Sequence, residues 1–132
     1  MASLFSKIIN REIPAYIVAE DDYNIAFLDI NPLAEGHVLV VPKKEVDYYF
    51  DLDEHDFNRL NLFAKKVAKA IEASVSCQRI GVAVVGLEIP HTHVHLVPLN
   101  SMNDINFDKP KLDLSKDKMK AITALIQDNF SK

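Results

Sequence analysis

The chain reads as an α+β fold in which helices pack on one mostly antiparallel sheet of about five strands. Three observations lead there. Hydrophobic residues follow the order helix, three strands, long helix, two strands, helix within 132 residues, a length suited to one domain, residues 1–132. The period switches from two to 3.6 near Asp51. The first two strands are joined by a short polar turn, which forces antiparallel pairing.

Taken in order, "SLFSKIINRE" places Leu4, Phe5, Ile8 and Ile9 at helical spacing, and Pro14 closes that short helix. "YIVAEDDYNIAFLDI" is two strands about Glu20-Asp21-Asp22. "NPLAEG" has the composition of a loop, and "HVLVVP" is an apolar strand ending at Pro42, which has no amide to give a ladder. From Asp51, "DLDEHDFNRLNLFAKKVAKAIEAS" lines Phe57, Leu60, Phe63, Ala64, Val67 and Ile71 along one helical stripe. Asp51 and Asp53 are both suitable N-caps, and Glu54 adds charge that the helix dipole favours. "RIGVAVVG" and "HTHVHLVPL" are the last two strands. A helix capped by Ser115 follows, with Met119, Ile122, Leu125 and Ile126 facing inward.

Composition narrows the function classes. The chain is 48% hydrophobic and 26% charged with a formal charge of -4, and its lysines are scattered, so it carries no footprint for a nucleic-acid polymer. A small nucleotide remains a suitable partner. Cys77 is the single cysteine, which indicates a reducing compartment and a small, semi-buried thiol. The N-terminal stretch lacks the apolar run of a signal peptide, and no segment has the ~20 apolar residues of a membrane span. We expect a soluble, cytoplasmic protein with no membrane partner.

Five histidines are present, and three of them, His91, His93 and His95, alternate in "PHTHVHLVP". On a strand they share one face, ~6.5–7 Å apart, while Thr92, Val94 and Leu96 point into the core. Burying three imidazoles without partners is costly, so the row must be solvated, metal-bound or arranged around a ligand. Three uses are open: an exposed sheet face that tolerates histidine, a metal site, and nucleophilic chemistry at phosphorus. A straight row does not by itself converge on an ion, and no acidic or cysteine ligand lies nearby in sequence. Imidazole chemistry favours the third use. Clustered rings disfavour one another's charged forms, so a neutral lone pair is available to attack phosphorus, with donors on either side. The middle position suits His93 as nucleophile. His55 lies on the polar side of the long helix and is expected to be solvated.

The sequence resembles the histidine triad (HIT) family. Its motif is His91-Thr92-His93-Val94-His95-Leu96-Val97, and "LFSKIINREIPAYIVAEDDYNIAFLDINPLAEGHVLVVPKK" matches the family's N-terminal half through its G-H-x-L-V-x-P-K strand, so that the likeness spans Leu4 to Pro98. The resemblance implies a half-barrel of five antiparallel strands with a long helix, commonly a homodimer. It implies chemistry at the α-phosphorus of a purine nucleotide such as AMP, without a cofactor. By position, His93 is the nucleophile, His91 and His95 flank it, and His37 is a fourth site histidine. Asp29 is the residue that holds ribose hydroxyls, and Phe5, Ile8, Phe27, Ile30 and Leu39 are walls for the base. Glu88 and Ile89, just before the triad, complete the nucleotide-binding set.

Two departures stand out. Many bacterial relatives hold zinc with an N-terminal Cys-x-x-Cys pair, where this chain has Ser3 and Ser6, so no structural metal is expected. "VVGLEIPH" is shorter than in the Hint branch, and Glu88 stands where a small hydroxyl residue is usual. A carboxylate there repels phosphate unless turned outward, and suits a cationic leaving group such as an amine. The branch resemblance implies a nucleoside phosphoramidase-like hydrolase. Alternatives are a Fhit-like dinucleoside polyphosphate hydrolase and a nucleotide-binding or protein-interaction module without turnover. The polar segment "LNSMNDINFDKPKLDLSKDK" covers either the site or a dimer partner.

Overall fold

The computed structural model describes residues 2–132. Helix α1 (Leu4–Ile9) leads into β1 (Ile17–Glu20), β2 (Asn24–Leu28) and β3 (Val38–Pro42), followed by α2 (Glu54–Ser74), β4 (Arg79–Ala83), β5 (Val94–Leu99) and α3 (Lys116–Phe130). The five strands form one antiparallel sheet in the order β1-β2-β3-β5-β4. This is the five-stranded α+β architecture expected from the sequence. Asp21 closes the β1–β2 hairpin by accepting the amides of Tyr23 and Asn24 with one carboxylate oxygen.

Register explains how one sheet serves two purposes. Successive side chains alternate faces. Ala26 and Leu28 of β2, Val38 and Val40 of β3, and Val94 and Leu96 of β5 enter a core shared with Leu60, Phe63, Val67 and Ile71 of α2 and Met119, Ile122 and Ile126 of α3. The intervening positions, Ile25, Phe27, Leu39 and Val41, pack with Phe5 and Ile8 of α1 on the opposite face. Phe27 pairs with Leu39 and Leu39 with His95, so the histidine strand continues the α1 face. Helices therefore cover both sides, and β2 and β3 are buried along their whole lengths.

Several boundaries differ from the sequence reading. Asp53, not Asp51, caps α2, accepting the Asp56 amide at 2.8 Å, while Tyr49–Asp51 makes a separate 3₁₀ turn. Leu125 does not face inward: it is exposed, because α3 buries the stripe Met119, Ile122, Thr123 and Ile126, and Leu125 falls on the next row around the helix. The last strand starts at Val94, so His91 and His93 precede it. Hydrogen bonds from the Thr92 amide and hydroxyl to the Val46 carbonyl, each 2.7 Å, hold that stretch against the loop after β3.

Candidate active site

The three triad residues and His37 are all buried, which the alternation alone does not demand. Each ring finds a partner. His91 Nε2 donates to the Pro42 carbonyl at 2.7 Å, and its Nδ1 accepts the Ser3 hydroxyl at 2.7 Å. His93 Nδ1 donates to the His91 carbonyl at 2.8 Å. His37 Nδ1 accepts the Leu33 amide at 3.0 Å, and His37 Nε2 lies 3.0 Å from His95 Nδ1.

These contacts fix the tautomers. A carbonyl only accepts and an amide only donates, so in its neutral form His93 carries its proton on Nδ1 and leaves a lone pair on Nε2. His37 has its acceptor on Nδ1 and its proton on Nε2, which it gives to His95 Nδ1. His95, neutral, then carries its own proton on Nε2. The ring centroids of His93 and His95 are 5.1 Å apart, so an Nε2 lone pair and an Nε2–H donor lie on neighbouring rings.

Electrostatics agree with this proton arrangement. Burial lowers the pKa of His37 to about 3, aided by the neighbouring His95. Burial, with His93 adding to it, lowers His95 to about 4. His91 is also shifted down, mainly by burial, with the Pro42 carbonyl and Glu45 opposing. His37 and His95 are therefore neutral at pH 7. Asp29 is shifted up by burial. Its Oδ1 accepts the Asn31 amide at 2.9 Å, forming the turn toward Pro32, while Oδ2 stands 3.6 Å from His37 Nε2. One carboxylate thus shapes the loop with one oxygen and sets the other beside His37.

Asp29, His37 and His95 place ligand atoms within 4.8 Å of one another, so the fold supplies an acidic neighbour that lies far away in sequence. The 3.0 Å between His37 Nε2 and His95 Nδ1 is a hydrogen-bond length. It is shorter than the ~3.3 Å that separates two ligands of a tetrahedral zinc ion with ~2.0–2.1 Å bonds. The arrangement fits proton sharing better than ion binding.

The apolar residues assigned to the base separate into two groups. Phe5, Ile8, Phe27 and Leu39 form one buried cluster, with Ile89 packed against it. Phe5 links this cluster to the triad, its ring 5.5 Å from Phe27 and edge-on to His93 at 5.0 Å. Ile30 stands apart, 70% exposed and outside the cluster. Glu88 is exposed, and its charge adds to the upward shift of the Asp29 carboxyl. On the other side of His93, Tyr48, Phe50 and Val85 wall a cleft of about 390 Å³.

Sequence reasoning did not assign the segment after β5, and the structure does. Phe107 packs edge-on against His95 at 4.8 Å. The Leu112 amide donates to the Pro32 carbonyl at 2.8 Å. Lys111 lies close enough for its charge to reach both His37 and Asp29. The segment covers the site of its own chain. No local pattern marks Phe107 or Lys111, since their role comes from where the chain returns.

A five-stranded antiparallel sheet presenting four hydrogen-bonded histidines at one end defines a histidine triad protein. The HIT domain family matches residues 10–102, and the chain belongs to that family. It is 36% identical to an uncharacterized HIT-like protein of Borreliella burgdorferi, over 96% of this chain and 97% of that protein. It is 31% identical to an adenosine 5'-monophosphoramidase of Schizosaccharomyces pombe, over 92% of this chain and 93% of that one. The crystal structure of a HIT-like protein from Bartonella henselae superposes with a TM-score of 0.83 at 28% identity, covering 96% of this chain and 95% of that one.

The buried neutral imidazoles make stability depend on pH. Their folded pKa values lie below the ordinary 6.5, so the unfolded chain binds more protons between pH 6.5 and about 4 for His95, or about 3 for His37. Stability falls on acidification through that window. Urea unfolding from pH 7 to 4 is expected to show this loss, and His37→Gln to reduce the slope by up to about one proton.

Proposed function

We propose that the protein is a nucleoside phosphoramidase-like hydrolase acting at the α-phosphorus of a purine nucleotide, with His93 as nucleophile. The observation that carries this reading is the 2.8 Å bond from His93 Nδ1 to the His91 carbonyl, which leaves Nε2 unprotonated at the mouth of the site. The likeness to a fission yeast phosphoramidase supports the substrate class.

The substrate is an adenosine phosphoramidate protonated on its bridging nitrogen. Its base lies by Phe5, Ile8, Phe27 and Leu39, and Asp29 Oδ2 accepts from the ribose hydroxyls. His93 Nε2 attacks phosphorus, the P–N bond of the substrate breaks, and its electrons leave with the nitrogen as a neutral amine. The imidazolium formed on His93 is stabilised through its Nδ1–H by the His91 carbonyl. The His95 Nε2–H and the Lys111 ammonium offset charge on the phosphoryl oxygens. Water then attacks phosphorus, the P–Nε2 electrons return to the ring, a proton passes to solvent and AMP is released. Exposed Glu88 suits the cationic form of the departing amine.

The test is turnover of an adenosine phosphoramidate in EDTA. Wild type is expected to act, His93→Ala to lose at least ~10³-fold in kcat, and diadenosine polyphosphate to be the slower substrate. Equal rates for wild type and His93→Ala overturn the reading. Tight AMP binding without turnover selects a binding module instead.

We also propose a homodimer built on β4. That strand is an edge of the sheet, and among the described residues no strand lies on its outer side. Val82 and Val85 are exposed there, and a bare apolar edge is a site for pairing with another chain. Light scattering is expected to give a dimer that Val82→Lys converts to monomer. A monomeric wild type contradicts it.

A further inference from the structure

Residues outside the substrate contacts proposed above tie the N-terminal helix to the triad. Ser3 caps α1, its hydroxyl oxygen accepting the Ser6 amide at 3.0 Å. The same hydroxyl donates its single proton to His91 Nδ1 at 2.7 Å. The Ser6 hydroxyl lies farther off, 3.4 Å from the Ser3 hydroxyl, and gives its own proton to Glu45 at 2.7 Å. The same Glu45 oxygen accepts the Ser3 amide at 2.7 Å. Glu45 is next to Val46, whose carbonyl Thr92 holds by two bonds. Ser3 and His91 are both buried, so few waters compete for these groups.

We propose that Ser3, Glu45 and Ser6 form a positioning clasp for the nucleophile. The path is short. Glu45 holds the Ser3 backbone and the Ser6 hydroxyl, and the Ser3 hydroxyl fills the one acceptor of His91. His91 is thereby kept with its proton on Nε2 against Pro42, and its carbonyl stays aimed at His93 Nδ1. Without Ser3, the buried Nδ1 of His91 keeps only the Ser6 hydroxyl, 3.5 Å away and already donating to Glu45, so the ring is drawn to turn or change tautomer. Either change moves the carbonyl that orients His93. The clasp also couples the two halves of the site, because the helix it caps carries Phe5, whose ring rests edge-on against both His91 and His93.

This inference rests on His93 acting as nucleophile, and its test separates the two. Ser3→Ala, Ser3→Thr, Glu45→Ala and His93→Ala are compared by kcat and KM on the adenosine phosphoramidate, and by ¹⁵N NMR of the histidine rings, which needs no substrate. Ser3→Ala is expected to lower kcat about tenfold, with KM changing less than kcat and the His91 Nδ1 and Nε2 resonances moving from the protonated-Nε2 pattern. Ser3→Thr, which keeps the hydroxyl and the cap, restores both. Glu45→Ala shifts the His91 resonances in the same direction and gives a smaller loss. A structural role alone predicts a lower Tm with kcat and ring resonances unchanged. Ser3→Ala within twofold of wild type in kcat, with unmoved His91 resonances, overturns the clasp while His93→Ala remains inactive. An active His93→Ala overturns the catalytic reading instead, leaving the NMR result to judge whether the clasp sets the tautomer.

Discussion

Leu33 gives its amide to His37 Nδ1 and the His91 carbonyl takes the proton of His93 Nδ1, and from these two main-chain bonds the proton positions of the central rings follow. Main-chain groups have fixed polarity. They cannot exchange roles as water or hydroxyls do, so they impose a tautomer instead of adapting to one. In water, each neutral imidazole would sample both forms. Here His93 presents a lone pair at Nε2, and the His37–His95 pair passes its donor outward. Burial maintains the arrangement by holding His37 and His95 neutral well below physiological pH.

That constraint is delivered by the alternation of a sheet buried on both faces. The core against α2 and α3 fixes the register of β2, β3 and β5, since a slip of one residue would turn Val94 and Leu96 outward and His95 into the core. The α1 face is then free to carry chemistry, with Phe27, Leu39 and His95 in line across three strands. Gly36 completes the approach. It adopts φ of 92°, a left-handed conformation that favours glycine, just before His37 enters β3. The loop therefore returns with His37 Nδ1 against the Leu33 amide, four residues earlier in the chain.

Element order, the five strands and the candidate residues His37, His91, His93, His95 and Asp29, which the fold gathers in one place, are readable because each leaves a local mark. Alternation marks a strand, and unusual residue types mark a site. Asp29 carries two local contacts, Oδ1 accepting the Asn31 amide in the turn and Oδ2 standing beside His37. What lay beyond the sequence depends on contacts across long stretches of chain. The Ser3–His91 bond spans 88 residues, and no periodicity announces it. Phe107 and Lys111 sit in a polar segment whose composition says only that it is irregular. Leu125 differs from its expected inward position for a simpler reason: its spacing from Ile122 is helical, but α3 turns its buried stripe through Thr123 and Ile126.

The central claim is that His93 Nε2 forms a bond to phosphorus during turnover. Rapid quenching of the enzyme with an adenosine phosphoramidate, followed by peptide mass spectrometry under conditions that preserve phosphorus–nitrogen bonds, tests it directly. The account predicts an adenylyl group on the peptide containing His93, appearing and decaying within one turnover and missing from His93→Ala. An adduct on a different side chain, or product formed at full rate with no adduct at any time point, would contradict it.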